Sequence, residues 1–248
     1  MSGAKVTLYH RREFADRAAE YQAWCDLLPA DSPPLVEEPS LYWDRQGIWL
    51  CMPGYAQPFQ PSHGDLLRRA QREGSRTELA RACGGAVGDL TILDACAGFG
   101  SDGLLLAQLG ARVCLVERQR LIWVLLAERA RHFAGSQTVC ADAMDVLRKD
   151  QGDELDAPPW DVILLDPMFP PQGKKALPNR GLQHLRELTQ TSAVDQQPQA
   201  LLTTALQRTP GRVVVKKRLK DPVLAPPDFQ IKGKSIRFDI YKGRMIPS

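Results

Sequence analysis

The chain has 248 residues, 44% of them hydrophobic and 25% charged, enough to bury a full core as one α/β domain with an appendage. No run of eighteen apolar residues appears, and the N-terminal stretch lacks the apolar segment of a signal peptide, which argues against a membrane span or secretion. Formal net charge is only +3, but it is segregated: residues 1–60 hold five Lys/Arg against eight Asp/Glu, and residues 212–248 hold ten against three. That asymmetry either focuses an anionic partner at one end or solvates an ordinary surface. The six cysteines include no CxxC pair, so no zinc knuckle or other metal site is expected, and a reducing cytoplasm is the expected compartment.

In chain order, residues 5–9 read as a short strand. Residues 14–28 read as an amphipathic helix with Phe14, Ala18, Tyr21 and Leu28 near one side, ended by Pro29, Pro33 and Pro34. Leu41-Tyr42-Trp43 and Ile48-Trp49-Leu50-Cys51 flank Asp44-Arg45-Gln46-Gly47 as a hairpin. A helix begins after Ser75, whose spacing to Glu78 fits a capping box, and Gly84-Gly85 stops it. Residues 1–85 are therefore read as a small N-terminal α+β region and residues 86–248 as the main domain.

From Leu90 the rhythm changes to alternating strands and helices. Strands are expected at 91–94, 112–116, 137–140, 161–165 and 212–215, with a late strand, antiparallel at the far side, at 236–241. Helices are expected from the turn at 98–103 to about Leu109, over residues 119–132, and from Asp142 onward. This pattern implies a mostly parallel sheet covered on both faces. Residues 173–210 are polar, with one helix expected at 198–208.

The first loop of this domain, Gly98-Phe99-Gly100-Ser101-Asp102-Gly103, matches GxGxxG, and Glu117 lies 19 residues after Gly98 at the end of the next strand. Those elements serve either a dinucleotide or S-adenosylmethionine, with Glu117 accepting the ribose hydroxyls. Asp94, four residues before Gly98, favours the methyl donor. A carboxylate there would repel a pyrophosphate but attract the ammonium of the donor's methionine end. Ser101 and Asp102 border the donor's amino-acid moiety or cap the helix. Arg118 lies along the adenosine edge or faces solvent. Asp142 accepts from the adenine amine or caps the helix that starts at Ala143.

The apolar run Val162-Ile163-Leu164-Leu165 ends in Asp166-Pro167-Met168-Phe169-Pro170. An acid, two prolines and an aromatic at a strand end suit a planar ring carrying an exocyclic amine. The acid and nearby carbonyls accept N–H bonds, and Phe169 either stacks on the ring or plugs the core beneath the loop. Lys174-Lys175 and the run Lys216-Lys217-Arg218-Leu219-Lys220 are candidate phosphate contacts, or simply charged loops.

The segments Asp94–Gly100, Leu165–Pro170, Arg212–Arg218 and Arg237–Tyr241 together resemble the bacterial small-subunit ribosomal RNA methyltransferase J family, which methylates the exocyclic N2 of a guanosine in 16S rRNA. The resemblance implies a class I S-adenosylmethionine-dependent methyltransferase (Rossmann-like) fold. It also implies donor contacts at Ser101-Asp102, Glu117-Arg118, Asp142-Ala143 and Asp166, and 16S rRNA or the small ribosomal subunit as partner. The family usually carries arginine at the position of Ser101 and often two serines at that of Asp142-Ala143. Other readings of the same residues are a methyltransferase acting on adenine N6 or another RNA, and an assembly protein that binds RNA without turnover.

Overall fold

The computed structural model describes residues 5–148, 160–167, 180–190, 198–209 and 211–243. At the N-terminus, β1 (Val6–His10) leads through a 3-10 turn into α1 (Ala15–Ala19), followed by β2 (Cys25–Pro29), β3 (Ser40–Asp44) and β4 (Gly47–Cys51). These strands form a sheet in the order β2-β1-β3-β4, with β1 parallel to both neighbours and β3–β4 an antiparallel hairpin. The hairpin stands as expected. The helix expected over 14–28 does not: it ends after α1, and Cys25–Pro29 is the edge strand beside β1. Ala18 and Tyr21 are buried as the helical spacing required, but Leu28 is 45% exposed. An edge strand tolerates Pro29, which has no N–H to donate.

Two helices follow. In α2 (His63–Glu73), the Ser62 side chain accepts a bond from Asp65 N at 3.1 Å, supplying one of the orphan donors of the first turn with a partner. In α3 (Glu78–Cys83), Thr77 caps the helix by accepting from Ala80 N at 3.0 Å. The cap is thus two residues later than the expected Ser75, which lies in a 3-10 turn. Helix α2 has no counterpart among the elements expected from sequence. Its Leu66 and Ala70 join Leu79, Ala82 and Cys83 of α3 in the core cluster of the main sheet.

The main domain contains β5 (Thr91–Asp94), α4 (Gly103–Gln108), β6 (Arg112–Glu117), α5 (Arg120–Ala130), β7 (Ser136–Cys140), α6 (Ala143–Arg148) and β8 (Val162–Leu165). Then come α7 (Arg180–Gln190), α8 (Pro198–Arg208), β9 (Arg212–Arg218), β10 (Phe229–Lys232) and β11 (Ile236–Lys242). The sheet order is β10-β11-β9-β8-β5-β6-β7. Strands β5 to β9 are parallel, and β10 and β11 are antiparallel. The late antiparallel strand was expected; α7 and β10 were not.

Chain order steps outward from β5 through β6 to β7, then returns to β8 on the other side of β5. Ligands of open parallel sheets lie in the crevice beyond the strand ends at such a switch point. One face of the sheet packs against α2, α3 and α4, the other against α6 and α8. A third cluster joins the N-terminal sheet to α5: Leu8, Tyr21, Trp43 and Leu50 meet Leu121, Ile122 and Leu125. Among the described residues no helix is long and apolar enough to cross a membrane.

Candidate active site

Parallel register carries the predicted residues to one edge. Asp94 pairs with Leu164 of β8 and Leu115 of β6, and Leu165 pairs with Val215 of β9. One residue further on, Asp166 and Lys216 come side by side: Lys216 Nζ lies 2.8 Å from Asp166 Oδ2. The same Nζ lies 2.6 Å from Asp102 Oδ2, at the start of α4. Arg69 of α2 stands behind Asp102, with Nη1 at 3.7 Å from Oδ1.

Asp94 is buried at the end of β5, and its Oδ1 accepts a long 3.4 Å bond from Cys96 N. A Cβ at Gly103 would sit 2.7 Å from Asp94 Oδ2, so glycine there lets the helix start close over the carboxyl. Burial, with Asp102 and Asp166 nearby, pushes the Asp94 carboxyl up to about 7. Burial also pushes Asp102 upward, but the Lys216 charge and hydrogen bond outweigh it and hold Asp102 below the ordinary carboxylate value. Asp166 is held above that value, by desolvation first and Asp102 second, against the pull of Lys216. Its side chain is still 40% exposed. Desolvation opposes the Lys216 charge, but its two aspartates raise its pKa above the ordinary lysine value.

The glycine turn is built as expected: Gly98 and Gly100 have φ of 53° and 76°, left-handed values that favour glycine. Glu117 braces this turn, with Oε2 accepting from Gly98 N at 3.0 Å and Oε1 from Gln119 N at 2.7 Å. Each oxygen keeps a second lone pair for a further donor. Asp142 caps α6, Oδ1 accepting from Met144 N at 2.8 Å, while Oδ2 faces Arg118 Nη1 at 3.8 Å. Ala143 is buried and Ser101 is exposed at the rim. Phe169, Lys174 and Lys175 lie outside the described residues.

The basic run requires a correction. The expected strand ends at Val215 and leaves the run in a loop, but β9 continues to Arg218. Strand alternation therefore splits the run between two faces. Lys216 points into the carboxylate cluster, and Lys217 is 3% exposed on the opposite face, so neither presents a free ammonium to a phosphate. Burial lowers the Lys217 pKa. Arg218 is half-buried and Lys220 is exposed. The buried Arg237 forks onto Asp239, at 2.8 Å and 3.0 Å, and donates to the carbonyls of Arg218 and Leu219, each at 2.8 Å. The Arg237–Tyr241 segment thus fixes the end of β9.

Further residues outside the expected set build the site. Arg69 belongs to the missed α2. Arg129 of α5 is buried and donates to Phe99 O at 2.6 Å and Ser62 O at 2.9 Å, tying the glycine turn to the start of α2. Leu185 of α7 covers the turn: a Cβ on Gly98 would meet both its methyl groups at 3.4 Å. Tyr55 anchors α7, donating to Glu187 Oε1 at 2.7 Å and meeting the His184 ring edge-on at 4.5 Å. Their advance signals were the helical period of residues 63–73 and Arg129 beside Glu128 on a mostly apolar helix.

A cleft of about 370 Å³ between Trp24, Trp123 and Gln137 shares no lining residue with this site. No group of three or more His, Cys, Asp or Glu among the described residues is placed to hold a metal ion.

The residues suit S-adenosylmethionine. Asp94 is a buried acid with one weak hydrogen bond, a place for a cationic ammonium, and Glu117 retains acceptor capacity beside the turn. Residues 62–243 match the family described as "Putative SAM-dependent methyltransferase". The Ribosomal RNA small subunit methyltransferase J of Alkalilimnicola ehrlichii is 37% identical over 235 residues, covering 86% of this chain and 88% of its own. That of Legionella pneumophila (strain Philadelphia 1) is 40% identical over 176 residues, 68% of this chain and 69% of its own. A SAM-dependent methyltransferase structure from Neisseria gonorrhoeae superposes with a TM-score of 0.73 over 96% of both chains at 23% identity, a likeness of fold. With the glycine turn, Glu117 and Asp166 all inside the matched span, the chain has the class I S-adenosylmethionine-dependent methyltransferase fold and belongs to the ribosomal RNA small subunit methyltransferase J family.

Proposed function

We propose that this protein methylates the exocyclic N2 of a guanosine in 16S rRNA, with Asp166 as the residue that receives the amine. The observation that carries this reading is the Asp166 carboxylate at the switch point of the sheet: Oδ2 is held by Lys216, and no hydrogen bond among the described residues engages Oδ1. S-adenosylmethionine, when bound, supplies an electrophilic methyl carbon. Asp94, Asp102 and Glu117 are the donor-binding acids, with Gly98, Gly100, Ser101, Arg118, Asp142 and Ala143 around them.

Guanine N2 is a weak nucleophile because its lone pair is delocalised into the ring. Asp166 Oδ1 accepts one N–H, which orients the amine and favours the positive charge that grows on nitrogen. The Pro167 carbonyl is a second acceptor. Pro167 fixes its own φ and stiffens the loop. Asp166 need not remove the proton before transfer; the proton leaves the positively charged nitrogen afterwards, to Asp166 or to water. Phe169 is assigned the stacking role on the base.

Phosphate contacts fall to Arg218 and Lys220, with Lys174 and Lys175, and hold the RNA without choosing the base. We draw the domain boundary near residue 61 rather than 85, because α2 and α3 pack in the core of the main sheet. The cytoplasm, where rRNA is made, is the compartment, in keeping with six free cysteines. The test is digestion of small-subunit RNA after incubation with enzyme and donor. N2-methylguanosine is expected; N6-methyladenosine, or donor binding with no methyl transfer, overturns the reading.

A further inference from the structure

Lys216 touches both halves of the site. Asp102 belongs to the turn that borders the donor, and Asp166 to the motif that receives the amine. These segments lie 64 residues apart in sequence, and the Lys216 ammonium joins them through 2.6 Å and 2.8 Å contacts. We propose that Lys216 is a positioning residue for methyl transfer, clamping Asp166 Oδ2 to Asp102 Oδ2 so that Oδ1 stays fixed toward the substrate amine at a constant distance from the donor turn. This rests on the reading of Asp166 as amine acceptor.

The charges around the clamp explain why a cation is needed. Asp94 from β5, Asp102 before α4 and Asp166 after β8 converge: Asp102 and Asp166 add to the burial that raises the Asp94 pKa, and Asp102 adds to the burial that raises that of Asp166. The Cys96 thiol is part of the same field. Among the described residues, Arg69 from α2 is a second cation facing the group, and at 3.7 Å it reaches Asp102. Without Lys216 the aspartates on the two segments repel. A lysine suits the place because its compact ammonium carries three donors, enough for two carboxylates at once. With its Oδ2 neutralised, Asp166 orients the amine more than it competes for the proton.

A surface lysine that held phosphate would act on RNA affinity. A clamp acts on turnover and on the ionisation of Asp166. Displacement of a reacting group by about 1 Å costs on the order of 10²-fold in rate. The experiment compares full-length wild type, K216M, K216R and D166N with small-subunit RNA and saturating donor, measuring kcat, KM for RNA and the pH profile of kcat. K216M is expected to lose on the order of 10²-fold in kcat with KM for RNA little changed. Its acid limb should move to higher pH, because Asp166 loses the cation that favours its charged form. K216R should return the acid limb to the wild-type position and recover part of kcat.

Should K216M fail a thermal-unfolding check, K216Q, which keeps a hydrogen-bond donor without charge, carries the same comparison. Wild-type kcat and acid limb in K216M or K216Q, beside an inactive D166N, overturn the clamp and leave the role of Asp166 standing. A change confined to KM for RNA and its salt dependence overturns it in favour of a phosphate contact. Near-normal turnover in D166N overturns the reading of Asp166 and the clamp with it.

Discussion

Asp94, Asp102 and Asp166 crowd around one lysine at the edge of the large sheet, whereas Phe14, Tyr21, Trp43 and Trp123 pack ring against ring where the N-terminal sheet meets α5. The first region carries buried charge that is only partly compensated, and its acids sit above or below their ordinary pKa. The second is mainly aromatic packing, with the cleft lined by Tyr21, Trp24 and Trp123 beside it. Arg17 lies over the Trp43 ring at 4.9 Å and also pairs with Glu128 on α5. Desolvated acids are costly to hold but ready to meet a cationic donor and an amine; stacked rings have no chemistry to offer and hold the N-terminal sheet in place. Changes in the two regions should therefore separate activity from stability.

The largest effect on stability belongs to the aromatic seam. Trp43 is 1% exposed, stacked on Phe14 at 5.9 Å and edge-on to Tyr21 at 6.0 Å. W43A is expected to cost about 3–5 kcal/mol of unfolding free energy, since it loses burial and leaves a cavity. Denaturant titration measures this. Donor affinity of the folded fraction at low temperature should stay near wild type. A large affinity loss with unchanged stability would erase the contrast between the regions.

A smaller effect sharpens the other side. In the folded chain Asp94 keeps its proton up to about 7, against an ordinary 3.8. The folded state therefore binds the extra proton between those values, so this group's contribution to apoprotein stability falls as pH rises through the window. The donor's ammonium prefers the ionised acid, so donor affinity should rise between about pH 6 and pH 8 as Asp94 deprotonates. Calorimetric titration reads it, and D94N should flatten the slope. A pH-independent wild-type affinity would mean that Asp94 does not face the donor's cation.

Much of the large sheet was legible because its signals are local. Apolar runs such as Val162–Leu165, glycine turns and the acid after each strand depend on a few adjacent residues. The N-terminal helix was misread because Phe14, Ala18 and Tyr21 do share a buried side, while the switch to an edge strand at Cys25 depends on pairing with β1, which is not local. Helix α2 was hidden by its high charge; its narrow apolar face, Leu66 and Ala70, makes sense only against the main core. At the site, Asp94, Glu117 and Asp166 could be read from their place after strands. The Lys216 pairing could not. It depends on the length of β9 and its register with β8, and a strand ended three residues early turns a half-buried clamp into a basic loop.

The central claim is that the carboxylate at the end of β8 performs the chemistry without being needed for the fold. The direct measurement is single-turnover methylation of small-subunit RNA by D166N against wild type at saturating donor, beside thermal unfolding and donor affinity. Replacing the anionic acceptor by an amide of similar size should lower the rate about 10²–10³-fold, corresponding to roughly 3–4 kcal/mol, with folding and donor affinity nearly unchanged. A well-folded D166N enzyme that methylates at close to the wild-type rate would contradict the account.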